Sequence, residues 1–204
     1  MARRPDHPVD PVFTGRWSPR SFTGEPVPAE VLHSIFEAAR WAPSAMNAQP
    51  WRFVYARRGD AHWDSFTALL NGRNARWAQR ASALLVILSA LEMDARGERV
   101  PNRSHSFDAG AAWANLAHQA LLLGWHTHGI GGFDRDLARE SLNIPADFAL
   151  EAMVALGRQA ALDKLDPDFH AQESPNSRRP LTETVFAGAF GSSAFGPSFE
   201  RETA

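Results

Sequence analysis

Apolar residues recur along this chain with two periods, and the periods divide it into elements. Val31, Leu32, Ile35, Phe36 and Ala39 fall on one stripe at helical spacing, which predicts an amphipathic helix. Pro28 suits its first turn, where a missing N–H costs nothing, and Pro43 marks its end. Trp51-Arg52-Phe53-Val54-Tyr55 alternates large apolar residues with others and predicts a strand. Asp60 is placed to cap a helix running through Leu70, and a further helix is expected from Asn74 to Ala81. The unbroken apolar run Ala83–Leu88 predicts a buried strand. Residues 90–105 are polar and aperiodic, so an irregular segment is expected there.

Phe107 to Leu123 carries the strongest helical pattern, rich in Ala, Leu and Trp, with Gly124 as its stop. A short strand, His126–Ile130, runs into Gly131-Gly132. Asp134 then caps a short helix to Leu142, and Phe148–Leu156 is the last strand. Residues 1–15 read as a Pro-rich polar arm, and 158–179 as a charged loop. From Leu181 the chain becomes a Phe- and Gly-rich tail. No repeat, composition break or linker divides the 204 residues, so a single α+β domain over 1–204 is expected.

Composition narrows the function classes. At 44% hydrophobic and 22% charged the chain has the make-up of an ordinary globular protein. Its 21 lysines and arginines against 23 aspartates and glutamates give a net charge of −2, without the basic surplus of a general nucleic-acid binder. A local basic patch stays open. Zero cysteines exclude disulfides, thiolate nucleophiles and cysteine-ligated metals. The opening MARRPDHPVDPVF has no apolar run after its arginines, so no secretory signal is expected. Ala83–Leu88 is far short of the roughly 20 residues that cross a bilayer, and a cytoplasmic protein without membrane contact is expected.

Among the eight histidines, His126 and His128 share a strand face, but no third ligand stands near them and no HExxH occurs. Ordinary strand-edge histidines and no metal site are expected. Ser44 lacks the frame of a nucleophile elbow, and neither GxGxxG nor a P-loop is present. Three segments remain. Arg16-Trp17-Ser18-Pro19-Arg20-Ser21-Phe22 sets two guanidinium groups in an extended stretch, as a phosphate clamp or as a solvated basic arm. Ala42-Pro43-Ser44-Ala45-Met46-Asn47-Ala48-Gln49-Pro50-Trp51 is a stiff polar loop, for ligand contact or plain connection. Gly129-Ile130-Gly131-Gly132-Phe133-Asp134 allows close backbone approach to a flat ligand, or simply a tight turn before a helix.

Taken in this order, the segments resemble the nitroreductase family of flavin enzymes. RWSPRSF resembles the opening R-x-S-x-R/K-x-F, and APSAMNAQPWRF resembles A-P-S-x-x-N-x-Q-P-W-x-F. Asn74-Ala75-Arg76-Trp77-Ala78, Asp108-Ala109-Gly110, GGFD, IPADF and Ser177-Arg178-Arg179-Pro180-Leu181 fall at the family's spacing, so the likeness covers residues 13–191. The resemblance implies a mostly antiparallel central sheet flanked by helices. It also implies a homodimer with FMN at the subunit interface, NADH or NADPH as electron donor, and a small-molecule acceptor. Residues 1–12 would form an arm, and 185–204 a tail embracing the partner.

By the same resemblance, Arg16, Trp17, Ser18 and Arg20 contact the flavin, with Arg20 near its N1–O2 edge. Arg16 and Arg178 hold the phosphate, with Arg179 as a neighbour. Pro43, Ser44, Ala45 and Asn47 come from the other subunit. Asn74 bonds the pyrimidine edge, and Gly129, Ile130, Gly131 and Gly132 lie near N5. Trp77 stands where some members carry a basic residue, and either stacks on substrate or fills space. No catalytic side chain is implied, because the chemistry belongs to the flavin. An enzyme that dismantles flavin or dehalogenates tyrosines, and a non-enzymatic flavin carrier, are the rival readings.

Overall fold

Strand β2 (Ala83–Ala90) is apolar almost throughout because neither of its faces meets water. In the computed structural model, which describes residues 3–194, it lies inside a four-stranded sheet. The order is β1 (Trp51–Arg57), β2, β6 (Phe148–Gly157), β5 (His126–Ile130), and every pairing is antiparallel. Leu84, Val86 and Leu88 point into one core with Phe66 of α3 (Trp63–Ala68), Trp77 of α4 (Gly72–Ala78) and Ala138 of α6 (Arg135–Ser141). Ala83, Leu85 and Ile87 point into the other, with Leu32 and Ile35 of α2 (Ala29–Arg40) and Leu116 and Ala120 of α5 (His105–Leu122). Each fully buried Leu or Ile adds about 1.5–3 kcal/mol of transfer free energy. The small residues Ala109, Ala112 and Ala120 let α5 lie close against the sheet and α2.

A bulge breaks the β2–β6 ladder: pairing steps from Ile87–Ala152 to Leu88–Leu150 and leaves Glu151 over. The Glu151 carboxylate accepts from the hydroxyls of Ser89 (2.5 Å) and Ser106 (2.6 Å), tying the first turn of α5 to the sheet.

Several expectations are corrected. The arm contains a short helix, α1 (Pro11–Gly15), with Pro at its first position and Asp10 accepting from the Val12 N–H. Residues 90–105 hold a hairpin, β3 (Glu92–Ala95) and β4 (Glu98–Pro101), whose Arg96 and Gly97 both take positive φ, as a two-residue turn demands. Its strands are largely charged and polar, so no apolar alternation announces them. Asp60 does not cap α3, because its carboxylate is taken by the backbone and guanidinium of Arg57. Asn71 caps α4 by accepting from the Asn74 N–H, so that helix starts earlier and ends at Ala78. The 158–179 loop contains tight helical turns at Leu162–Lys164 and Pro167–Gln172 that bury Leu165 and Phe169 in the core. In the tail, the Phe186 and Phe190 rings stand 4.7 Å apart, while Phe195 and Phe199 lie outside the described residues. Among the described residues no helix is long and apolar enough to cross a membrane.

Candidate functional site

The segment Arg16–Phe22 is fixed at its end and along its backbone. Phe22 is fully buried, and its ring occupies the space beside Gly157, where an added Cβ would stand 2.7 Å away. The Ser21 hydroxyl donates to the Ala161 carbonyl (2.8 Å). The Glu173 carboxylate accepts from the backbone N–H groups of Arg20 (2.9 Å) and Ser21 (2.8 Å). With the backbone held, Arg16, Trp17, Ser18 and Arg20 face a cavity of about 620 Å³, which His128, Arg3 and Arg178 also line.

Among the described residues, four arginines and no acidic side chain line that cavity. Burial lowers the Arg16 pKa first, and the charges of Arg3 and Arg178 lower it further. Arg3 is lowered by burial and then by Arg178. These cations therefore repel one another in a partly dry corner, where an anion would relieve them. Arg3 is held there by the carbonyls of Arg16 (2.6 Å) and Asn176 (2.8 Å). Burial also lowers Arg20, with Glu173 opposing and Arg73 assisting. His128 is pushed down to about 4, by burial first, against the Pro19 carbonyl at 3.0 Å and with the charges of Arg20 and Arg16. It therefore stays neutral, packed on Trp77 with ring centres 4.5 Å apart.

Asn74, on α4, donates from Nδ2 to the Gly132 carbonyl (2.9 Å), which leaves its Oδ1 as the acceptor it can offer. A Cβ at Gly132 would stand 2.7 Å from Nδ2 of Asn71, the residue that caps α4, so the Asn71 side chain would have to shift, whereas Gly131 faces open space. The loop after α2 is strained: Met46, Asn47 and Gln49 all take positive φ. It is held by the Gln49 N–H bonding to Ser44 Oγ (3.1 Å) and the Ala45 N–H bonding to the buried Asp108 carboxylate (3.1 Å). Strain of this kind persists only where surrounding contacts impose it, and it clusters at functional sites.

The Nitroreductase family model matches residues 13–158, a span that takes in the RWSPRSF segment, the strained loop and the Gly131-Gly132 turn. The chain belongs to the nitroreductase family. It is 30% identical over 202 residues to an NADH dehydrogenase of Thermus thermophilus, covering 83% of this chain and 91% of that one. A crystal structure described as an oxidoreductase containing FMN superposes with a TM-score of 0.90 at 47% identity, covering 94% of this chain and 97% of its own. A structure from Desulfovibrio desulfuricans solved in complex with FMN has a TM-score of 0.67 at 27% identity, covering 90% and 99%.

In this nitroreductase, Arg16, Trp17, Ser18, Arg20 and Arg178 converge on one cavity. Arg179 does not line it, and neither do Pro43, Ser44, Ala45 and Asn47, Asn74, Trp77, or the Gly129–Gly132 turn. Trp77 is 1% exposed, enclosed by Phe22 and His128, so its indole packs in the core and is not presented at the surface. Six lining residues escaped the sequence reading: Ala171, Gln172, Ser174 and Asn176 of the charged loop, and two ionisable ones, Arg3 and His128. Arg3 sat in what read as an arm, with only its charge to mark it. His128, read as an ordinary strand-edge histidine, is a wall of the cavity.

Proposed function

We propose that this nitroreductase is an FMN-dependent oxidoreductase that uses NADH or NADPH to reduce nitroaromatics, quinones or related electrophilic acceptors by a ping-pong mechanism, as a cytoplasmic homodimer. One observation carries the reading: a cavity walled by four arginines whose described lining holds no carboxylate, Glu173 beside Arg20 being engaged by backbone N–H groups. A flavin phosphate supplies the missing charge, and charge-assisted contacts to it are roughly twice as strong as neutral ones. Arg3, Arg16 and Arg178 would hold that phosphate. Arg20 would place a cation beside the ring, and the Asn74 Oδ1 would accept from the ring's N–H. When bound, FMN supplies the redox chemistry, taking hydride from the nicotinamide and passing electrons to the acceptor. His128, kept neutral, adds no charge of its own to the cavity. The strained Pro43–Asn47 loop lies outside this cavity, which agrees with its serving the site of a second subunit.

The purified protein should be yellow, and should oxidise NAD(P)H steadily when a quinone or nitroaromatic is added. Arg178→Ala should weaken FMN far more than riboflavin, which lacks the phosphate. Equal losses for the two ligands would refute the phosphate assignment, and a colourless protein indifferent to added FMN would refute the whole reading.

A further inference from the structure

The arginine cavity is charged unevenly. At one end the charges that shift Arg16 are those of Arg3 and Arg178, both cations. At the other, burial and the cation of Arg73 lower the Arg20 pKa, while the carboxylate of Glu173 raises it. That carboxylate engages the Arg20 backbone rather than its head group. Both of its oxygens accept from the Arg20 N–H at 2.9 Å, and one also accepts from the Ser21 N–H at 2.8 Å. The Arg20 guanidinium makes no hydrogen bond or ion pair among the described residues, and lies 5.9 Å from the Trp77 ring centre. Glu173 therefore fixes where Arg20 leaves the chain and keeps the donors of its head group free.

The carboxylate is itself held from behind. Glu173 follows the turn Pro167–Gln172, and its N–H donates to the His170 carbonyl (3.1 Å). Phe169 of that turn is buried, with the guanidinium groups of Arg73 and Arg76 each 5.2 Å from its ring centre. Arg76 also bridges Asp166 and Asp168. The turn is thereby pinned to α4, the helix that carries Asn74. Two backbone N–H groups need acceptors, and an amide oxygen could accept from them as well. A fixed negative charge does more, because it lowers the electrostatic potential around it in a poorly screened site. Reduced flavin carries more negative charge than oxidised flavin, so a cation at the ring favours the reduced form and an anion disfavours it. We propose that Glu173 is a positioning residue that holds Arg20 by its backbone and, through its own charge, partly offsets that cation, so that the bound flavin is a stronger reductant than Arg20 alone would allow. This inference rests on the flavin reading of the cavity.

The midpoint potential of bound FMN would be measured in the full-length protein and in its Glu173→Gln and Glu173→Asp variants. Glu173→Gln keeps an acceptor oxygen and removes the charge, whereas Glu173→Asp keeps the charge. The inference expects Glu173→Gln to favour reduced over oxidised FMN about tenfold more than the parent does, an upward shift of about 30 mV for a two-electron couple. It expects Glu173→Asp to stay near the parent. A carboxylate with a structural role alone would, once replaced, loosen Arg20 and leave the potential unchanged or lower. Either result in Glu173→Gln, or a shift as large in Glu173→Asp, would overturn the role of the charge. So would a Glu173→Gln chain that cannot fold or hold FMN, since the carboxylate would then be a requirement of the structure. In each of these cases the parent binds FMN and the flavin reading stands. A parent chain that binds no FMN would overturn the flavin reading itself, and this inference with it.

Discussion

His128 shows how a single side chain couples the cavity to acid stability. In an unfolded chain its imidazole titrates at 6.5, but in the folded protein burial and nearby arginines hold it at about 4. Between those values the unfolded chain binds a proton that the folded one refuses, so stability is full above 6.5 and falls as the pH drops toward 4. Below that, this group costs nothing more. The gap corresponds to a loss on the order of 3 kcal/mol. His126 and His118, both lowered by burial and by Arg16, add slopes of the same sign. Denaturant unfolding of the flavin-free protein at pH 7, 5.5 and 4 should therefore show declining stability, and His128→Gln should flatten the decline while leaving the share of the other two. An unaltered slope in the variant would remove His128 from this account.

At the scale of elements, the strained loop depends on α5 for its shape. Asp108 is buried in the first turn of that helix and accepts from the Ala45 N–H. Glu151, at the bulge, ties the same turn to the sheet through Ser106. Asp108→Ala leaves a backbone donor without its acceptor, at a cost of about 1–3 kcal/mol, while Asp108→Asn keeps an acceptor oxygen and should lose less. The alanine variant should also release FMN faster, as thermal unfolding and flavin absorbance would show together. Lost stability with undiminished flavin retention would mean the loop takes no part in holding the cofactor. Much of this scaffold was legible in the sequence. The α2 stripe, the β2 run and the Ala-rich α5 are long or strongly periodic, and each packs as its period predicts. The β3–β4 hairpin and the Phe169 turn were not legible, because charged residues surround both and the burial of Phe169 comes from a tertiary contact. The site divides the same way. Arg16 and Arg20 are carried by a local motif. Arg3 gains its place through Asn176, 173 residues away, and His128 through Pro19, 109 residues away, so neither position could be read locally.

For the whole molecule, the question is what covers its apolar surface. Phe107 and Leu122, near opposite ends of α5, are 83% and 69% exposed, and Trp41 and Met46, flanking the strained loop's first residues, are also open. In the tail Phe190 is 93% exposed. Gly188 and Gly191 take positive φ there, which breaks up the segment and prevents a helix from burying its own phenylalanines. Large apolar side chains left outside in this number mark an interaction surface. In the proposed homodimer a two-fold partner would cover them, each copy offering the same surface and receiving the other's tail. The alternative, a frayed terminus, explains neither the phenylalanines nor the exposed face of α5. If the loop of one subunit completes the cavity of the other, assembly and flavin retention must fail together. Cutting the chain after Thr184 should therefore shift sedimentation from dimer toward monomer and release FMN over the same concentration range. A full-length monomer that keeps its FMN, or a truncated chain that still sediments as a flavin-loaded dimer, would show that the site is complete without the tail.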